Sequence, residues 1–220
     1  MSERRPDPAP AAASILRSPF LWAGVAGLVG LALLWPLTRM RPRRPADPPP
    51  PAVIGQIPAF TLTDQAGKAY GSKDLAGRPY VAAFFFTTCQ SICPRITQQM
   101  GKLGDKLRAA GLDVGQVSLS VDPEADTPAV LADYAAKHQI DGARWRLLTG
   151  SRDQVSRLLE GGFRTHMGDK VKTGDLIDIA HTSRFALVDR AGGLRGLFES
   201  DDDGLEEIVQ QARRVSRAAR

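Results

Sequence analysis

Cysteine is scarce in this chain: its 220 residues hold two, Cys89 and Cys93, and only three histidines. All thiol chemistry is therefore confined to one pair. Positive charge is also scarce once it is located. The formal net charge is +5 and the sequence pI about 9.5, but residues 1–50 carry seven arginines (Arg4, Arg5, Arg17, Arg39, Arg41, Arg43, Arg44) against Glu3, Asp7 and Asp47. That segment holds +4 of the total and leaves +1 for the rest. A nearly neutral domain lacks the basic face that nucleic acid requires, so no nucleic-acid partner is expected. Internal repeats are absent. The acidic run Asp201-Asp202-Asp203 lacks the loop spacing of an EF-hand, and reads as a solvated turn whose charge suits the start of a terminal helix.

Charge is missing altogether from residues 18–38, SPFLWAGVAGLVGLALLWPLT. About 20 apolar residues suffice to cross a bilayer as a helix, so this stretch is expected to be a single transmembrane anchor. Trp22 and Trp35 fit an interfacial aromatic belt, and Pro36 falls in the last turn. A cleaved signal peptide would end its apolar core in a small-x-small site, which Leu33-Leu34-Trp35-Pro36 does not offer. Residues 1–17 are then an N-terminal tail and 39–55 a basic, Pro-rich spacer of polyproline II character. Counting arginines on the two sides slightly favours the opposite orientation. The thiol chemistry argued below nonetheless places the tail in the cytoplasm and the domain in the periplasm. With no mitochondrial transit peptide evident, the expected location is a bacterial inner membrane.

The chain is organised around residues 80–94, YVAAFFFTTCQSICP. The first half is an unbroken apolar run rich in Phe, which predicts a strand buried on both faces. Ile96, Met100, Leu103 and Leu107 then recur at helical spacing, so a helix begins near the cysteines, with Met100 in its core stripe. The positive end of a helix favours a thiolate and lowers a thiol pKa. Four residues of separation would bring both sulfurs to one face if the turn is already helical. C-x-x-C is the usual reducing motif. The extra residue here relaxes the pair toward chelation, and soft thiolates favour Cu(I) or zinc. The competing reading is a structural disulfide, whose short loop would gain little.

Further along, Phe60 to Lys68 predicts a hairpin, Ser72 to Leu75 a short capped turn, and Val117 to Val121 a strand. Thr127-Pro128 opens a helix to about Lys137, with Thr as N-cap and Pro at the first position. Trp145 to Leu148 reads as a strand, and Ser151-Arg152-Asp153-Gln154 as a capping box opening a helix that stops at Gly161-Gly162. His181 to Val188 contains a strand, Leu194 to Phe198 its hairpin partner, and Leu205 onward an amphipathic helix. Strands alternating with helices give an α/β, thioredoxin-like sandwich over 56–220. In that architecture the loop bearing His181 lies beside the cysteine turn.

The stretches FFFTTCQSICP (84–94), SVDPEADTPAVLADYA (120–135) and HTSRFALVDRAG (181–192), with the early FTLTDQAGK, resemble the Sco/SenC proteins of cytochrome c oxidase assembly. The resemblance implies a membrane-tethered copper chaperone that holds Cu(I) or Cu(II) through Cys89, Cys93 and His181. It further implies delivery of copper to the CuA centre of cytochrome c oxidase subunit II, or reduction of that centre's cysteines before loading. Gln90-Ser91 stands where many relatives have Pro-Asp. Ala180, with Asp178 two residues earlier, stands where many have Asp. The rival class is a thiol-disulfide oxidoreductase, or a thiol peroxidase, in which Cys89 attacks and Cys93 resolves. Among other candidates, His138 is expected on an exposed helix face, His166 and Met167 form a soft-donor pair in a loop, and Asp122 caps a turn near the cysteines.

Overall fold

The computed structural model describes residues 19–39, 48–173 and 176–217; side chains at 21, 25, 36–39, 172, 173 and 176–178 are outside the description. The chain divides into two compact units, Met1–Ala46 and Asp47–Arg220. In the first, helix α1 occupies Pro19–Arg39. Its Phe20, Leu28, Leu31 and Leu33 are exposed. Among the described residues no helix is long and apolar enough to cross a membrane. The expected tail 1–17 and most of the basic spacer, 40–47, lie outside the described residues.

The second unit is built on an eight-stranded sheet in the order β1-β10-β9-β4-β5-β6-β2-β3. Its strands are β1 (Gly55–Gln56), β2 (Thr61–Asp64), β3 (Ala69–Gly71), β4 (Tyr80–Phe85), β5 (Gly115–Ser120), β6 (Trp145–Thr149), β9 (Phe185–Val188) and β10 (Gly193–Phe198). β5 pairs parallel with both β4 and β6, while β9 runs antiparallel to β4. Helices α2 (Ser72–Leu75), α3 (Cys93–Ala109), α4 (Pro128–Lys137), α5 (Arg152–Leu158) and α6 (Asp202–Arg217) complete a mixed α/β, thioredoxin-like fold.

Consecutive residues of a strand point to opposite faces. Phe84 meets Phe163 edge-on at 5.2 Å between ring centroids, and Phe85 meets Tyr134 of α4 at 5.3 Å. Both faces of β4 are thus covered, as its apolar run predicts, and all six of its residues are buried. The expected caps are present: the Thr127 hydroxyl accepts from Val130 N, and Ser151 and Gln154 form a reciprocal capping box. α5 does not stop at Gly161-Gly162. It continues as one π turn, Leu159–Phe163, ending at Arg164 in the left-handed region, φ 54°.

The strand expected within His181 to Val188 is β9, Phe185–Val188, and His181 lies in the coil before it, on a loop as expected; one departure concerns the site. Preceding that coil is an unanticipated two-stranded hairpin, β7 (Lys170–Thr173) with β8 (Leu176–Ile179), separate from the main sheet. The signal was present: two short runs separated by Gly174-Asp175, a two-residue turn pair.

Phe84 is 1 % exposed at the centre of the core. Replacing it with alanine leaves an unfilled cavity on the Phe163 side. Phe84→Ala is expected to cost about 3–5 kcal/mol of stability, read as a lowered midpoint in chemical denaturation.

Candidate metal and thiol site

β4 hands the chain to the site through Phe86, itself buried. A turn follows, in which Cys89 N–H donates to Phe86 O at 3.3 Å. The helix then starts at Cys93, with Pro94 in its first turn and Ile92 as an N-cap that offers no side-chain hydrogen bond. This corrects the expectation of a shared helical face: only Cys93 is helical, and Cys89 reaches it from the preceding turn. Both cysteines are unbridged and buried, so a structural disulfide is not formed here.

The two thiols differ sharply. Burial acts to raise Cys89, but hydrogen bonds from the Ser91 hydroxyl, 3.5 Å from its sulfur, and from the amides of Cys93 and Ser91 outweigh it. Its pKa is lowered. Cys93 is 0 % exposed, and burial, with the neighbouring Cys89 and the Asp126 carboxylate, pushes it up to about 12. The thiolate-favouring effect expected of a helix start is therefore seen at Cys89, where free amides point at sulfur, and is overridden at Cys93 by loss of water.

His181 approaches from the other side. Its ring meets Phe86 edge-on at 5.8 Å, and Nδ1 lies 2.6 Å from Ile179 O. A carbonyl can only accept, so Nδ1 carries the proton and donates. Nε2 then keeps its lone pair, and it is buried without a hydrogen-bond partner. An imidazole with one nitrogen tied to a carbonyl and the other bare and out of water has the arrangement of a ligating histidine. Phe86 thus meets His181 through its ring and Cys89 through its carbonyl. Among the described residues no three His, Cys, Asp or Glu side chains are already drawn into a metal-holding cluster.

Beneath the cysteine turn sits a carboxylate that sequence reasoning missed. Asp126 is 0 % exposed and accepts from Thr87 N at 3.2 Å, Thr87 Oγ1 at 2.5 Å and Ser120 Oγ at 2.5 Å. Asp122, on the same loop, is buried and paired with Lys170. It was expected to cap a turn; its carboxylate instead takes Lys170 on Oδ2 and leaves Oδ1 buried without a hydrogen-bond partner. Both aspartates stand in the SVDPEAD stretch, so the signal was visible, but their partners lie 39 and 48 residues away.

Other candidates fall away. His138 is half-buried against Tyr134, 4.2 Å between centroids, instead of standing on an exposed face. Met167 is buried in the core while His166 is exposed beside Glu160, so the two do not offer a common donor face. Met100 lies in the core as expected. Asp201 caps the final helix through Gly204 N.

A thioredoxin-like domain with an unbridged C-x-x-x-C pair just after its central strand, and a histidine with a bare Nε2 against the Phe86 ring, defines a dithiol protein equipped for soft metals. The chain belongs to the SCO1/SenC family, whose model matches residues 50–217. It is similar to the SCO1 protein homolog of Bacillus subtilis (strain 168), 34% identical over 152 residues that cover 69% of this chain and 75% of the relative. With the SCO2-like proteins of Rickettsia typhi and Rickettsia felis, the match spans under half of the relative's length, 46% and 45%. Among solved structures it resembles BsSco, a member of the Sco family of cytochrome c oxidase assembly proteins in which a disulfide switch is identified. The TM-score is 0.68 with 28% identity, covering 77% of this chain and 98% of that one. Bradyrhizobium japonicum ScoI with copper bound matches with a TM-score of 0.58 and 28% identity, covering 73% and 99%.

Thiol asymmetry gives a direct test. Near neutral pH, limiting iodoacetamide should label Cys89 first and leave Cys93 unmodified in the folded protein, as read by peptide mass spectrometry. Because the Cys89 pKa is lowered, its labelling rate should reach its plateau at a lower pH than a free thiol's and fall on further acidification.

Proposed function

We propose that this protein is a copper carrier of the bacterial inner membrane, held by residues 18–38 with its domain in the periplasm, and that it serves assembly of the CuA centre of cytochrome c oxidase subunit II. The observation that carries the reading is His181, whose buried Nε2 has no partner while Nδ1 is fixed on Ile179 O. With Cys89 and Cys93 it completes a donor set of two sulfurs and one nitrogen, which suits Cu(I) and, through the imidazole, accommodates Cu(II). Copper is the cargo. The uncharged run of α1 and its exposed apolar side chains support the anchor.

The order of events at this chain's own atoms follows from the thiols. Cys89 is the first to exist as thiolate. Cys93 keeps its proton until an incoming cation supplies the charge that burial denies it, so copper uptake releases protons and weakens as the medium is acidified. His181 needs no tautomeric change to offer Nε2.

The same asymmetry supports a second reading, thiol-disulfide exchange. Cys89 thiolate attacks one sulfur of a client disulfide, and the client's other sulfur leaves as thiolate. Cys93 then attacks Cys89 sulfur, which closes the Cys89–Cys93 disulfide and frees the second client sulfur. Two electrons pass to the client, and the Cys93 proton goes to a departing thiolate.

Copper stoichiometry separates the two. The full chain in detergent, reduced and loaded anaerobically, should retain one copper per chain, and Cys89→Ala, Cys93→Ala and His181→Ala should each lose it. No retention by the native chain, or full retention by His181→Ala, would overturn the carrier reading and leave exchange, for which the histidine is dispensable.

A further inference from the structure

His181 and the dithiol come from parts of the chain nearly ninety residues apart, about the length of a small domain; β4, which leads to the cysteines, pairs with β9, which follows His181, but that ladder does not reach the segment that precedes the histidine. The hairpin β7–β8 that leads into His181 shares no ladder with the main sheet. Its base is closed by Gly168 N–H donating to Ala180 O at 2.8 Å. Its attachment to the domain is apolar at one strand and ionic at the other: Ile179, the last residue of β8, is buried in the core, and Lys170, the first residue of β7, places Nζ 2.5 Å from Asp122 Oδ2. Asp122 is 1 % exposed, and its other oxygen, Oδ1, is buried with no hydrogen-bond partner. Lys170 is thus the counter-charge of a carboxylate that water does not reach, and such a pair is costly to break from one side.

Four residues on, the same loop grips the cysteine side. Asp126 holds both the N–H and the hydroxyl of Thr87, two residues before Cys89, and ties them to Ser120 at the end of β5. The loop itself is rigid: Asp126 N donates to Asp122 O at 2.9 Å, and Asp122 N to Ser120 Oγ at 3.0 Å.

We propose that the loop 121–127 is a bracket that sets the separation of His181 from the dithiol, and that Lys170 is the positioning residue on its histidine side. Asp126 fixes one arm and the Lys170–Asp122 pair fixes the other. Lys170 touches neither thiol nor imidazole in this role; it acts by holding the hairpin from which His181 emerges. The copper arm of the test rests on the carrier reading, and the exchange arm does not.

Lys170 is partly exposed, so its substitution leaves the core intact. Hydrogen–deuterium exchange is measured on the copper-free full chain in detergent, for the native protein, Lys170→Met and Lys170→Arg. Lys170→Met should speed exchange at residues 168–171 and 179–181 by about tenfold, with β4 and β5 unchanged, and Lys170→Arg should restore it. With Cu(II) added, Lys170→Met should weaken affinity by about tenfold and reduce the imidazole nitrogen hyperfine coupling in the electron paramagnetic resonance spectrum, again restored by arginine. Unchanged exchange overturns the bracket. So does faster exchange with an unaltered copper spectrum, or faster exchange throughout β4 and β5, which would make Lys170 a general support. If the native chain takes up no copper, the carrier reading fails, and the bracket stands or falls on exchange and its rescue by arginine.

Discussion

Water is excluded from both faces of β4, and the hydrogen bonds it makes to β5 and β9 fix it in the middle of the sheet. A chain held in this way can turn polar and reactive only where the strand runs out. Phe86 is the last of the buried run, and the cysteine turn begins directly after it. The same ring receives the His181 imidazole. One aromatic residue at the end of one strand therefore gives the thiols and the histidine a common reference, with the packing of the whole sheet behind it.

Burial acts to raise Cys89, Cys93 and Asp126 alike at this end of the sheet, and the net outcomes differ. It pushes up Cys93 and raises Asp126, although Thr87 and Ser120 hydrogen bonds act to lower the carboxyl. At Cys89, the hydrogen bonds prevail over burial. What distinguishes the two thiols is the supply of donors. Cys89 faces the amides of the turn and the Ser91 hydroxyl, whereas Cys93 is already inside the helix, fully buried, with one backbone hydrogen bond at Phe86 set against burial and the charges of Cys89 and Asp126.

Much of this was legible in the sequence because the signals were local. The apolar run of β4, the helical spacing of Ile96, Met100, Leu103 and Leu107, the Thr127 cap and the Ser151–Gln154 box all depend on residues within a turn or two of one another. The C-x-x-x-C pair marked the site for the same reason. What escaped was non-local or energetic. The pairing of Lys170 with Asp122, and of Thr87 with Asp126, joins residues that only the fold brings together. The helix start near the cysteines was legible, but not that Cys93 alone is helical, because spacing reports periodicity and not the backbone of the first turn, where Pro94 follows Cys93. Met167 looked like a loop donor because a single methionine carries no sign of whether its side chain points inward.

The borders of the sheet are short. β1 contributes two residues and is followed closely by Pro58, and β3 contributes three. Beyond β1, Ile54 N is already spent on Leu194 O, and Arg195 holds Pro51 O at 2.7 Å. Borders this short offer a second copy of the domain little ladder on which to extend the sheet across molecules. Resistance to edge-to-edge aggregation is thus built into the periphery of a fold whose central strand is among the most apolar in the chain.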